Sequence, residues 1–257
     1  MPSPIDLHIA ASVATIALNR PEAGNAITLE MAQALLTAAL HCENSETVRA
    51  VVLTGSGKAF CVGGDLHEMI DAGGDVSRHL NELTTLLHAA ITCFCRMSKP
   101  VIAAVNGTAA GAGLGLVAMS DLAVAASGAK FTSAYTAVSL TPDAGVSFLL
   151  PRAIGRKRAM DLLITNRVLT AEQALDWGLV NEVVPDAELS NTVRLRAESL
   201  AAGSIRAIGD VKALLDSADP GLETQLAIEG RTIARAAATD DGRQAIEAFL
   251  IRRRERK

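Results

Sequence analysis

The run Pro100-Val101-Ile102-Ala103-Ala104-Val105-Asn106-Gly107-Thr108-Ala109-Ala110-Gly111-Ala112-Gly113-Leu114-Gly115-Leu116-Val117-Ala118-Met119 decides the fold. It carries no charge and is long enough to span a bilayer. Its punctuation argues otherwise: Asn106-Gly107 and the glycines at 111, 113 and 115 split it into a strand at Val101–Val105, a loop and a helix ending near Met119. Val48–Thr54, bounded by Gly55-Ser56-Gly57, is a second Val/Leu run of the kind a strand buried on both faces shows. Ala11–Leu18 alternates as a strand. Thr28 opens a helix to about Cys42, and a further helix covers about Asn81–Cys95. Strands are expected near Leu122–Ala125 and Lys130–Ser133. Thr170-Ala171-Glu172-Gln173 is a capping box opening a helix that Gly178 ends. Beyond Pro185 the chain reads as helical, broken at Asp219-Pro220-Gly221 and at Asp240-Asp241-Gly242. Strands alternating with helices give an α/β class with right-handed crossovers. Residues 1–200 form the expected core and residues 201–257 a C-terminal helical region.

Composition bounds the function. The 257 residues are 49% apolar and 20% charged, with a net charge of −4, which excludes disorder and allows a sizeable core. Aromatics at 3% and the acidic balance argue against nucleic-acid binding. The tail Arg252-Arg253-Arg254-Glu255-Arg256-Lys257 is basic on an acidic body, a place for a small anionic ligand or simply a solvated helix end. Met1-Pro2-Ser3-Pro4-Ile5-Asp6 holds neither a basic nor an apolar leader segment, so a cytoplasmic protein is expected. Cys42, Cys61, Cys93 and Cys95 are too few for a disulfide framework and lack a second Cys/His pair for a metal, so they read as buried thiols.

Two nucleotide motifs fail. Around Gly57-Lys58, Val52 stands where a phosphate loop needs its first Gly and Ala59 where it needs Ser or Thr. Leu116 stands where the last Gly of a dinucleotide fingerprint belongs. What remains are two strand–Gly-loop–helix junctions, Phe60–Leu66 and Asn106–Gly113. Each exposes backbone N–H groups where a helix starts, with little side-chain bulk in the way. Two such groups aimed at one point make an oxyanion hole, each donor worth about 2.7–4 kcal/mol of barrier. The alternative is that the glycines only permit close packing.

Leu18-Asn19-Arg20-Pro21-Glu22-Ala23-Gly24-Asn25-Ala26, then Phe60–Leu66, then Ala104–Gly115, then Leu163-Ile164-Thr165-Asn166-Arg167 and Ala174–Val180, resemble in order the enoyl-CoA hydratase/isomerase (crotonase) family. The resemblance covers nearly the whole chain. It implies a crotonase-like spiral of ββα turns with a C-terminal helical region, assembled as a homotrimer or a dimer of trimers. It also implies an acyl-CoA thioester substrate, with coenzyme A as part of that substrate and no metal or redox cofactor. By motif, the amides of Gly64 and Ala112 would hold the thioester oxygen. Asn25 and Ala26 would line the pantetheine or adenine side, and Val62, Asp65 and Leu66 belong to the same binding wall, with Asp65 also a helix cap. Phe249 and Arg252 stand where the family offers an aromatic and a cation to the nucleotide end.

The family's hydratases use two glutamates, and the matching positions here are Gly115 and Tyr135. Thr141-Pro142-Asp143-Ala144-Gly145 instead supplies an acid. With Asn106–Gly113 and Leu222-Glu223-Thr224-Gln225-Leu226, this segment looks most like the phenylacetate-pathway isomerases, which use one aspartate there. Adding water across a double bond is easiest with two acid/base groups; moving the bond needs one, which takes a proton at one carbon and returns it at another. Asp143 is therefore the expected shuttle of an isomerase, with a hydratase or a binding homologue without turnover as alternatives. From the residues alone Asp143 reads first as a helix N-cap after Pro142, and it is the resemblance that favours the shuttle. Tyr135 reads as pocket wall or core, and His88 as a helix-face residue. A dehalogenase branch uses a nucleophilic aspartate at this place with a His and a Trp, whose matched positions here hold Thr92 and Tyr135.

Overall fold

The computed structural model describes residues 3–216 and 221–255. Its frame is a six-stranded sheet in the order β1 (Ile5–Ala10), β2 (Val13–Leu18), β3 (Ala50–Gly55), β5 (Val101–Val105), β7 (Leu122–Ala126), β10 (Glu182–Val184). Apart from the β1–β2 hairpin, all pairings are parallel. Side chains alternate between two cores. Val51, Leu53, Val101, Ala103 and Val105 face one side, with helices α1 (Leu29–Asn44) and α3 (Val76–Arg96). Val52, Ile102, Ala104 and Val124 face the other, under Leu189, Val193, Ala197 and Ala201 of α8 (Leu189–Ala202). Coverage on both sides is why β5 is entirely apolar.

A second sheet runs β4 (Ala59–Cys61), β6 (Thr108–Ala110), β8 (Lys130–Thr132), β9 (Leu169–Thr170), its first three strands parallel. Each turn of the spiral thus gives one strand to the first sheet, one to the second, and then a helix. β3 and β4 lead to α2 (Leu66–Asp71) and α3; β5 and β6 lead to α4 (Ala112–Met119); β7 and β8 lead to α5 (Val146–Ile154). Since β4, β6 and β8 lie side by side, three strand-to-helix junctions far apart in sequence become neighbours at one end of one sheet. Asn106 ties the turns together: its Oδ1 accepts from Gly55 N at 3.1 Å and its Nδ2 donates to Gly57 O at 3.1 Å.

After β8 come α5, α6 (Arg156–Thr165), β9, α7 (Ala171–Trp177), β10 and α8, then α9 (Ile205–Asp216), α10 (Leu222–Ala238) and α11 (Asp240–Glu255). Ile233, Ala234, Ala237, Ile246 and Leu250 of the last two helices share the main core. α9 is pinned by the buried Lys212, whose Nζ donates to Phe94 O and Lys99 O, each at 3.1 Å, and to Asp121 Oδ2 at 2.7 Å.

Several elements differ from the sequence reading. The structure adds β1, which the sequence does not signal because the hairpin turns at Ala11 (φ 47°) and Ser12 (φ 64°), neither a residue that marks left-handed backbone. α3 starts at Val76, a turn and more before Asn81. Asp240-Asp241-Gly242 opens α11, with Thr239 Oγ1 accepting from Gly242 N at 3.0 Å. Asp219 and Pro220 lie outside the described residues. The Thr170 capping box and the Gly178 stop are present in α7. All four cysteines are buried and free; burial pushes the Cys61 thiol up to about 12. Among the described residues no helix is long and apolar enough to cross a membrane, and no Cys/His/Asp/Glu group has the makings of a metal site.

Candidate active site

A cavity of about 550 Å³ opens where the three junctions meet. Val62, Gly63, Gly64, Asp65 and Leu66 come from the first, Ala110, Gly111 and Ala112 from the second, Tyr135, Val138, Leu140 and Asp143 from the third. Backbone geometry brings the first two together. Gly63 (φ 101°) and Gly111 (φ 53°, ψ −122°) hold conformations open to glycine alone, and a Cβ on Gly111 would sit 3.3 Å from Gly63 Cα. Around Gly64, Gly63 O accepts from Ile27 N at 2.8 Å and Asp65 N donates to Ile27 O at 2.9 Å. Among the described residues no hydrogen bond engages the amide of Gly64 itself, nor that of Ala112, the first residue of α4. Two amides from facing loops are thus left for a ligand in one cavity.

Asp65 lines the wall, but its carboxylate is committed. It caps α2, accepting from His67 N at 3.0 Å and Glu68 N at 3.3 Å, and pairs with Arg20 at 2.9 Å. Arg20 also donates to Ala26 O at 2.6 Å. Ala26 and Val62 line the cavity. Asn25 does not: it is fully buried, its Oδ1 accepting from Arg20 N at 2.9 Å and its Nδ2 donating to Ser56 O at 2.9 Å and Ala59 O at 2.8 Å. The Asn-Arg-Pro motif therefore braces the Gly63-Gly64 loop from behind. Glu68 staples α2 to α1, accepting from Leu29 N at 3.0 Å.

Asp143 is 5% exposed and lies in the cavity wall. Its Oδ1 accepts from the Tyr135 hydroxyl at 2.6 Å. The N-cap of α5 is Gly145, with no side-chain cap bond of its own, and the Asp143 carbonyl accepts from Val146 N at 2.9 Å. Beyond the carboxylate the wall is aliphatic, with Met69, Leu80, Leu83, Leu87, Ile233 and Leu250. At the last helix the cation on the wall is Arg254. Arg252 is exposed and its Nε donates to Ala248 O at 3.3 Å, while the side chain of Phe249 lies outside the described residues.

A profile of the family described as enoyl-CoA hydratase/isomerase matches residues 8–256. The chain belongs to this family. It is 38% identical over 255 residues to the 1,2-epoxyphenylacetyl-CoA isomerase of Escherichia coli K12, covering 96% of this chain and 95% of that one. It is 38% identical over 217 residues to a 4-chlorobenzoyl coenzyme A dehalogenase of an Arthrobacter species, covering 82% and 79% of the two chains. The crystal structure of an enoyl-CoA hydratase from Bacillus halodurans superposes with a TM-score of 0.89 at 27% identity over 96% of this chain and 100% of that one. The fold is the crotonase spiral.

The two positions that the resemblance matches to the hydratase glutamates both meet the loop that carries Asp143. At Gly115, where hydratases carry their first glutamate, an added Cβ would stand 2.6 Å from Ala144 O and 2.9 Å from Ala144 Cβ. The space for a side chain is filled by the loop that carries Asp143. At Tyr135, the second glutamate position, the phenol reaches the Asp143 carboxylate. The loop after β8 thus fills one hydratase position with its own backbone and bonds its carboxylate to the side chain at the other. Sequence reading missed His88. It is buried, its Nε2 accepts from Ala144 N at 3.3 Å, and it also bonds the Leu226 backbone. Burial holds its imidazole down at about 4, so the ring is neutral. The histidine against the Asp143 loop is this one, four residues before Thr92.

Proposed function

We propose that the protein is an acyl-CoA isomerase that moves a C=C bond through a thioester dienolate. The observation that carries the reading is the buried Asp143–Tyr135 pair on the wall of a cavity that also holds two uncommitted amides. In this reading Gly64 N–H and Ala112 N–H donate to the thioester oxygen and make the adjacent C–H acidic. The Asp143 carboxylate takes a proton from C2, the electrons moving into the polarised carbonyl. The same carboxyl then returns the proton to C4, and the double bond reforms between C2 and C3. The aliphatic wall suits an uncharged hydrocarbon acyl group. Ala26 and Val62 line the pantetheine path, and Arg254 takes the anionic end of coenzyme A, the role expected of Arg252.

Water addition is disfavoured by the crowding at Gly115, which leaves no room for a second carboxylate. Dehalogenation, the activity named for the Arthrobacter relative, calls for a histidine able to activate water. Here both nitrogens of His88 are taken by backbone groups. A homotrimer or dimer of trimers and a cytoplasmic setting are part of the proposal; exposed Met160, Ile164, Val168 and Leu175 of the α6–α7 region offer an apolar face for assembly.

Asp143→Asn tests the mechanism. It keeps size and hydrogen bonding but loses the base, so 3-enoyl-CoA to 2-enoyl-CoA conversion, followed by the rise in conjugated-thioester absorbance, is expected to disappear while thioester binding persists. Full activity of this variant would overturn the reading, as would steady loss of crotonyl-CoA absorbance by hydration in the wild type.

A further inference from the structure

We propose that His88 is a positioning residue: it fixes where the Asp143 carboxylate stands by accepting a hydrogen bond from the amide of the next residue, Ala144. The inference rests on the reading of Asp143 as the proton-transfer group. His88 itself is not among the residues lining the cavity, and it touches the chemistry only through backbone.

The loop it meets needs holding. Ala144 (φ 51°) and Gly145 (φ 75°) are consecutive left-handed residues directly after Asp143. An alanine held in that region persists only where its surroundings enforce it. On one side Ala144 packs against Gly115 of α4. On the other its N–H, buried and outside any helix ladder, finds its acceptor in His88 Nε2. Without that acceptor a buried donor is left unpaired, and the loop relaxes to find another.

His88 is equipped for the task. With Nε2 accepting, the ring's single proton sits on Nδ1, the nitrogen left to donate to the Leu226 backbone of α10. The ring is thus clamped between two helices and the loop. α10 approaches α3 closely at this level: a Cβ on Gly230 would meet Thr84 Oγ1 at 2.8 Å and His88 Cε1 at 3.5 Å. Thr84 in turn is fixed by donating to Leu80 O at 2.6 Å. The imidazole spans a fixed gap between a rigid helix and a strained loop, so its position is passed on to Asp143.

The test is a set of four variants assayed for double-bond migration with kcat and KM separated, folding being checked by circular dichroism and thermal melting. His88→Leu fills the apolar surroundings but offers no acceptor; its kcat is expected to fall about 10- to 100-fold with KM within about two-fold. His88→Gln places a carbonyl near Nε2 and is expected to recover kcat to within about three-fold of wild type. His88→Asn is polar but too short to reach Ala144, and is expected to behave like Leu; it carries the test if the Leu variant fails to fold. A merely packing role would make Leu the best of the three, and that ranking, or equal kcat for Gln and Asn, overturns the proposal. Asp143→Asn separates the two readings: if it is inactive while His88→Leu keeps full kcat, only the positioning role falls, and if it is fully active the proton-transfer reading falls and takes this one with it.

Discussion

Adding a single methyl group at Gly115 is expected to damage catalysis through a residue it never touches. The new Cβ would stand 2.6 Å from Ala144 O, 2.9 Å from Ala144 Cβ and 3.2 Å from Val146 Cγ2, where ordinary contact begins at 3.4 Å. α4 is buried on nearly all sides and cannot retreat, so the Ala144 loop must move by about 0.8 Å. Overpacking of this kind costs about 1–3 kcal/mol. At about 2–4 °C per kcal/mol for a chain of this size, Gly115→Ala should melt roughly 2–12 °C below wild type. Asp143 is bonded to Ala144 and follows it. A misplacement approaching 1 Å at a proton-transfer group costs on the order of 100-fold, so kcat should fall by about 10- to 100-fold. KM should change little, because the aliphatic wall and Arg254 are untouched. Gly115→Glu, which restores the hydratase residue type, should not yield hydration, since the larger side chain meets the same obstacle. Melting curves and steady-state rates on an unsaturated acyl-CoA decide the matter. A Gly115→Ala protein with wild-type melting temperature and kcat would refute the claim that Ala144 backbone occupies this space and sets the carboxylate.

Tyr135→Phe removes a hydrogen bond to a buried carboxylate, an interaction of about 1.5–3 kcal/mol, and is expected to lower kcat by about 10- to 100-fold while leaving the fold intact; unchanged kcat would show that the phenol does not orient Asp143. Arg254→Ala should raise KM for the thioester several-fold at low salt with kcat unchanged, and Arg252→Ala should do much less; the reverse order would put the anionic end of the ligand elsewhere. His88 also predicts a pH dependence of stability. Its folded value of about 4 lies below the ordinary 6.5, so between the two the unfolded chain takes up a proton that the folded chain refuses. Stability is therefore intact above about pH 6.5 and is lost as pH falls toward 4, by roughly 3 kcal/mol. Urea midpoints across that range should fall less steeply in His88→Gln than in wild type, and parallel curves would count against a neutral buried ring.

Sequence alone determined the frame. Apolar runs such as Val101–Val105 announce strands buried on both faces, glycine clusters mark where strand gives way to helix, and the Thr170 box and Gly178 stop bound a helix, because each is local physics written in adjacent residues. The candidate acid was reached through the family resemblance; by local pattern alone Asp143 reads as a helix cap after Pro142. Tertiary structure alone decided where the carboxylate stands. Whether it caps α5 or faces a cavity depends on how three junctions far apart in sequence, at Gly64, Ala112 and Asp143, are laid side by side by the pairing of β4, β6 and β8. The same holds for Asn25, whose Nδ2 donates to backbone groups more than thirty residues away. It holds too for His88, an ordinary face of α3 until α10 and the Ala144 loop close over it. Local pattern fixes which segments are helix, strand or turn; the partners of a polar group are set by long-range packing, which no short window of sequence contains.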